Sequence, residues 1–349
     1  MKSPDYLRFA EFCNLYSKFD CPIFNQKVSA LKNTDDADSA SLHQTSFAGI
    51  STFGRLPYAP TTVDGECDLA ILGIPFDGMV TNRPGARFGP NAIRQASMRC
   101  RGYSQQMGVD VYKRLRSVDV GDVNVNPFDY VETFRQIENR VSDLQQRGAA
   151  VVSLGGDHSI LLPILRATSR KFKNLTLIQF DAHRDTTNEG WGQRFHHGTP
   201  VRRIIEEGLV SGSQVFQIGI RGSVGSPASN EYASKAGIQT LDMSSFHDAR
   251  LRETFVEKLR QVAGSAPCYL TFDVDGIDPA FAPGTGTPVV GGLTSFEALE
   301  MMRSLRGLEF IGGDVVEVAP AYDCSDITAL LGATLAFEIA ALIAMRGEA

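Results

Sequence analysis

Six short runs constrain this chain more than any other feature. They are DLAILGIPF (68–76), AAVVSLGG (149–156), LTLIQFDAH (175–183), SQVFQIGIR (213–221), PCYLTFDVD (267–275) and FIGGDVVEV (310–318). Each has the length of a strand, is rich in Val, Ile, Leu and Phe, and is apolar on both faces. A strand with one wet face would alternate polar and apolar residues, whereas a parallel strand covered by helices on both sides would not. The intervening segments 129–147, 158–171, 200–208, 246–262, 295–306 and 325–346 read as helices. This alternation predicts an α/β fold, a three-layer αβα sandwich around a mostly parallel central sheet. No repeat or linker divides residues 61–349, which read as one catalytic domain. Residues 1–60 differ: 33–46 (NTDDADSASLHQTS) are polar and aperiodic, and the segment reads as an N-terminal arm that contacts neighbouring subunits.

Composition narrows the function by exclusion. With 34 Lys+Arg against 40 Asp+Glu the net charge is −6, and no basic groove for nucleic acid is expected. Six cysteines lie scattered without CxxC spacing, as in a reduced, cytoplasmic protein. No apolar stretch reads as long as the ~18 residues of a membrane span. The N-terminus, MKSPDYLRFAEF, lacks the apolar core of a signal peptide. The expected partner is a small molecule, not a nucleic acid or a membrane.

In an open parallel sheet, ligands bind at the carboxyl ends of the strands. Three of the runs end in metal-ligand types: LGGDHS (154–159), FDAHRD (180–185) and FDVDGIDP (272–279). A fourth ends at Glu317. Strand alternation would put Asp181 and His183 on one side, with Asp185 curling back; Asp273 and Asp275 repeat the spacing. His158 follows a Gly-Gly turn that allows close backbone approach. A lone Asp at a strand end is commonly a cap or turn residue, but three clusters at successive strand ends are not so explained. DVDGID is not an EF-hand loop, because Asp278 stands at the glycine position and an apolar strand precedes it. Two imidazoles and four carboxylates suit Mn²⁺, Fe²⁺, Co²⁺, Ni²⁺ or Zn²⁺, and are too many for one open ion. Two ions ~3.5–4 Å apart would acidify a shared water toward neutral pH.

GGDHS, DAHRD and FDVDGIDPAFAPGTGTP resemble the three signatures of the ureohydrolase (arginase/agmatinase) family. The similarity also takes in RPGARFGPNAIRQAS (83–97), HGTPVRR (197–203) and VVEVAPAYDCSDITALLGA (315–333), and is nearest the agmatinase and guanidinobutyrase branch. It implies an arginase-like fold and a binuclear centre of two divalent ions per subunit, Mn²⁺ or Ni²⁺. His158 and Asp185 would bind one ion, His183 and Asp275 the other, and Asp181 and Asp273 would bridge them. Glu317 would pair with the substrate guanidinium, His197 would exchange protons with solvent, and Asp185 would pass a proton to the leaving nitrogen. The reaction implied is hydrolysis of a guanidino C–N bond to urea and an amine, on a substrate of the agmatine or 4-guanidinobutyrate type. A homo-oligomer, trimer or hexamer, is implied as well.

Some residues depart from the agmatinase pattern. His196 stands before HGTP, where an acidic residue is usual, which counts against an amine-tailed substrate. Arg184, Arg194 or Arg202 could meet the carboxylate of a guanidino acid. Alternatively Met79, Val80 and Trp191 could form an apolar rim for guanidine or an alkylated biguanide such as metformin. Such relatives include nickel enzymes and hetero-oligomers in which a paralogue accompanies the active subunit. His43 and His247 have no ligand neighbours and read as surface residues.

Overall fold

The computed structural model describes residues 45, 47–61 and 67–348. The chain divides into two units, Met1–Gly49 and Ile50–Ala349, and the sheet and its helices belong to the second. Most of the expected arm, and His43 with it, lies outside the described residues. Residues 50–60 belong to the second unit: Phe53 is fully buried and its N–H donates to Asp119 at 2.8 Å.

Ten strands run in chain order among the described residues. They are β1 (Leu69–Ile74), β2 (Tyr103–Ser104), β3 (Val109–Asp110), β4 (Ser117–Asp122), β5 (Ala150–Gly155), β6 (Thr176–Phe180), β7 (Val215–Ile218), β8 (Gln239–Leu241), β9 (Cys268–Asp273) and β10 (Phe310–Val316). β2 and β3 form a small hairpin. The other eight make one sheet in the order β4-β1-β5-β10-β9-β6-β7-β8, with every pairing parallel.

The principal helices are α1 (Gly89–Ala96), α2 (Tyr130–Gln146), α3 (Leu161–Lys171), α4 (Pro200–Glu206), α5 (Ala228–Ala236), α6 (Ala249–Ala263), α7 (Ser295–Arg303) and α8 (Ile327–Ala344). They cover both faces of the sheet. Leu69 and Ile71 of β1 enter a core with Ile93 of α1, Leu259 of α6, Met302 of α7 and most of α8. Ala70 and Leu72 enter the opposite core with Ile137 of α2, Leu165 of α3 and Ile204 of α4. Successive side chains of one strand therefore feed two cores, which is why the runs are apolar throughout. Helix α2 shows the complementary logic. Its buried Phe134, Ile137, Val141 and Leu144 recur at spacings of three and four, and Asp129 caps it by accepting from the N–H groups of Val131 and Glu132.

One sequence expectation fails at α8. Its 18 residues have a mean hydropathy of 2.1, long and apolar enough by length and composition to cross a membrane. Within this fold 83% of the helix is buried, and Glu338 in its middle is paired with Arg303 of α7. It is the central core helix between the sheet and α1 and α7.

Candidate metal centre

The four strands that end in chemistry are neighbours: β5, β10, β9 and β6 lie side by side in the middle of the sheet. Their carboxyl ends bring His158, Glu317, Asp273 and Asp181 together from segments far apart in sequence. The ligands lie just past the strand ends, so the turns aim them. β6 stops at Phe180, and the His183 N–H donates to Asp181 Oδ1 at 2.6 Å. β9 stops at Asp273, and the Asp275 N–H donates to Asp273 Oδ1 at 2.8 Å. In both places the first aspartate folds the chain back with its own side chain, presenting the second ligand. The expected strand alternation is thus replaced by turns. Asp185 and Glu317 have φ of 52° and 64°, a left-handed region costly for residues with a Cβ.

His158 Nδ1 stands 3.1 Å from Asp181, 2.9 Å from Asp185 and 3.4 Å from Asp273. His183 Nδ1 stands 3.0 Å from Asp275 and 3.5 Å from Asp181. Two potential ion sites result, one from His158, Asp181 and Asp185 and one from Asp181, His183 and Asp275. They share Asp181, and Asp273 faces the first. All six expected ligands are brought together.

Polar residues inside the strands orient these ligands. His158 Nε2 lies 2.9 Å from Thr271 Oγ1, and the Thr271 hydroxyl donates to Asp314 at 2.6 Å. Thr271 must then accept from His158, which places a proton on Nε2 and turns Nδ1 toward the carboxylates. Tyr269 donates to the other Asp314 oxygen at 2.8 Å. Gln217 donates to Gln179, and Gln179 to Asp181, at 2.8 and 2.7 Å. None of these five residues stands out in the sequence. Thr271→Val keeps the shape but removes the acceptor behind His158, and should weaken metal affinity about 10–100-fold with folding preserved. Metal titration against circular dichroism checks this.

Glu317 and His197 form the next part of the site. Glu317 Oε1 accepts the His158 N–H at 2.9 Å and lies 2.8 Å from His197 Nδ1. His197 Nε2 lies 2.7 Å from the Thr81 hydroxyl and accepts the Thr81 N–H at 3.1 Å, so the ring proton sits on Nδ1 toward Glu317. Glu317 Oε2 is buried without a partner, beside the glycine at 286. A Cβ there would press to 2.9 Å on the Arg83 carbonyl, so the close approach requires glycine.

These features can be compared with known proteins. The Arginase family profile matches residues 67–342. This chain belongs to the arginase family. Guanidinopropionase from Pseudomonas aeruginosa is 44% identical over 299 residues, 85% of this chain and 93% of that protein. Mitochondrial agmatinase from Gallus gallus is 44% identical over 291 residues, 83% of this chain and 85% of that protein. Among solved structures, proclavaminate amidino hydrolase from Streptomyces clavuligerus superposes with a TM-score of 0.81 at 38% identity, covering 86% of this chain and 99% of that one. The arginase-family chain is a ureohydrolase that cleaves guanidino compounds to urea and an amine.

The ureohydrolase site fits divalent ions. His158 Nδ1 and Asp185 Oδ2 are buried with no hydrogen-bond partner, yet stand only 2.9 Å apart. Burial first, then the Asp181 charge, pushes the Asp185 carboxyl up to about 6; burial, Asp275 and Asp181 push Asp273 up as well. Bare anions are unstable here, and a cation between them removes the conflict.

A cleft of about 630 Å³ opens from the centre, lined by Thr81, His183, Asn188, His197, Arg202 and Ser223 among others. Two expectations about its rim are corrected. Met79 is 8% exposed and packs in the core; its N–H donates to Asp157 and its carbonyl accepts from His197, so it serves backbone positioning. Trp191 is 84% exposed at the tip of a two-residue turn closed by Gly190 and Gln193, and neither Met79, Val80 nor Trp191 lines the cleft. His196 does line it, wedged between Gly190 and Gly198. Burial, then His197 and Arg203, lower its pKa to about 4, so it is neutral at physiological pH. His247 is exposed and 3.7 Å from Glu297.

Proposed function

We propose that this ureohydrolase acts on a guanidino acid of the 4-guanidinobutyrate type. The supporting observation is the charge of the cleft beyond the ligands. It is lined by Arg184, Arg202 and Arg221, while Asp242 is engaged in capping the turn at Ser245 at 2.8 Å. With His196 neutral, the ammonium of agmatine would meet one carboxylate beyond the metal ligands, Asp242, among three guanidinium groups, whereas a carboxylate would meet the guanidinium groups directly. The free oxygen of Glu317 would take the substrate guanidinium by a charge-assisted hydrogen bond, with Oε1 anchored so that the carboxylate cannot turn away. His158, Asp181, His183, Asp185, Asp273 and Asp275 would hold the two ions. When bound, the ions supply a water acidified toward neutrality as nucleophile. Asp185 would hand a proton to the departing nitrogen. His197 would exchange protons through the Thr81 hydroxyl on the cleft wall.

The ligand set suits Mn²⁺ and Ni²⁺ alike. The second reading, guanidine or an alkylated biguanide with nickel, draws on the neutral His196 that lines the cleft. Cys67, Cys100, Cys268 and Cys324 are unpaired, in keeping with a cytoplasmic setting. The arm, with its boundary drawn back from residue 60 to residue 49, is read as a contact within a homo-oligomer. Urea release from agmatine, 4-guanidinobutyrate, 3-guanidinopropionate, guanidine and metformin, after reconstitution with Mn²⁺ or Ni²⁺, tests these readings. The acids should lead the panel by at least about tenfold in kcat/KM, as expected for gaining one charged contact. Metformin or guanidine leading under Ni²⁺ would favour the second reading.

A further inference from the structure

The three cleft arginines are held very differently. Arg221 spends its guanidinium on the carbonyls of Gly219, Asp275, Gly276, Ile277 and Val289, at 2.6–3.2 Å. Arg184 donates to Asn230 at 2.6 Å, Thr240 at 2.8 Å and Gln217 at 3.1 Å. Both fasten loops and strands together. Arg202 donates only from Nε, to Glu206 at 2.8 Å, and its guanidinium lies 4.3 Å over the Tyr232 ring. That contact fixes the face of the group and one donor. Its two terminal nitrogens have no hydrogen-bond partner among the described residues.

Charge around Arg202 is also unbalanced. Glu206 is the single carboxylate facing Arg202, Arg194 at 3.1 Å and Arg203 at 3.3 Å. The adjacent Glu207 is taken by Arg166 at 2.6 Å. Arg203 is 2% exposed, and its Nε and Nη1 are buried without a hydrogen-bond partner. Its Nη2 donates to Asn188 Oδ1 at 3.2 Å. Because a guanidinium only donates, Asn188 must accept through its oxygen, which leaves its NH₂ group as a donor. Asn188 and Arg202 both line the cleft. Arg194, the third candidate in the sequence, is absent from the cleft lining.

We propose that Arg202, with the Asn188 amide as a second donor, is the specificity-determining residue that binds the substrate's tail carboxylate. The inference rests on the guanidino-acid reading and adds which residue enforces it. A stacked, pre-oriented fork with both terminal nitrogens available matches a carboxylate in a way a lysine ammonium cannot. Excess positive charge from Arg194 and Arg203 favours an anion at this place and disfavours an ammonium.

The test uses the metal-loaded enzyme and two substrates of equal length, 4-guanidinobutyrate and butylguanidine, with Arg202→Gln and Arg202→Lys. Loss of a charged, two-pronged hydrogen bond should raise KM for the acid about 10–100-fold in Arg202→Gln. Turnover of butylguanidine should stay within about twofold, since removing a contact made only to the carboxylate leaves it untouched. Arg202→Lys should recover part of the acid's KM. Equal losses on both substrates, or no loss on either, would overturn the proposal. Butyrate as an inhibitor separates it from the reading it rests on. If no guanidino acid is hydrolysed, yet butyrate inhibits the accepted substrate and Arg202→Gln relieves that inhibition tenfold or more, the carboxylate site stands alone. Butyrate that inhibits both forms alike, or neither, would overturn the site.

Discussion

Asp181→Asn is expected to remove both ions at once and to lower urea release by about three orders of magnitude or more. The position follows from its two oxygens. Oδ2 lies 3.1 Å from His158 Nδ1, and Oδ1 lies 3.5 Å from His183 Nδ1, so each oxygen faces a different imidazole. Gln179 donates to Oδ2, and the His183 N–H donates to Oδ1. An asparagine must turn an NH₂ toward one of these donors, which spoils both a ligand and the hydrogen bond that orients it. Losing the ions forfeits several kcal/mol of transition-state stabilisation, and each 1.4 kcal/mol is about tenfold in rate. His183→Ala provides the contrast, because it touches only one of the two clusters and should retain one ion per subunit. Metal content per subunit, measured beside urea release and circular dichroism, distinguishes the outcomes. Two bound ions, or full activity, in Asp181→Asn would contradict the shared-ligand assignment.

The ligands were legible because they break the pattern that surrounds them: charged groups end runs that are otherwise apolar on both faces. The central strands were legible for the same reason. The edge strands were not among the runs. β4 (SVDVGD) alternates polar and apolar residues and carries Asp119 and Asp122, which pair with Arg94 of α1, and β8 is only three residues long. An edge strand has fewer neighbours to exclude water, so its composition approaches that of a loop. The residues behind the ligands had a signal that went unread. Gln179 precedes Asp181 by two, and Thr271 precedes Asp273 by two, so each shares its ligand's side of a strand. A polar residue fully buried within an apolar run needs a partner: Gln179 finds it in Asp181, two residues on, and Thr271 in His158 and Asp314. Spatial order was beyond the sequence. Nothing in local propensity places β10 between β5 and β9, yet that placement puts Glu317 against His158. The full apolar length of α8 emerges only with its helix bounds, and the sheet and helices around it account for that length.

Chelating the ions should destabilise the fold, and by more at pH 7.5 than at pH 5. Without metal, burial and then the Asp181 charge raise the Asp185 carboxyl to about 6 from its ordinary 3.8. Asp273 and Asp275 are raised too, by burial first and then by neighbouring carboxylates. A carboxyl whose folded pKa lies above its unfolded one favours the protonated fold. Its contribution is present below the unfolded value and disappears as pH rises through the folded one. The chelated protein should therefore weaken between about pH 4 and 6 and stay weak above. The ions reverse this dependence. Above pH 6 they meet ionised carboxylates and displace protons only from the two imidazoles, which, against the effect of burial, Asp185 and Asp275 keep protonated at both pH values; at pH 5 they must displace protons from the aspartates as well. Metal at about 100 times its dissociation constant adds ~2.7 kcal/mol per ion, which for a domain of this size raises Tm by roughly 4–5 °C per ion. The gap between loaded and chelated protein should reach that range per ion at pH 7.5 and shrink to less than about half of it at pH 5, read by calorimetry at fixed free metal. A gap that is constant with pH, or wider at pH 5, would mean that protons and ions do not compete for the same oxygens, and the crowded carboxylates would not be the ligands.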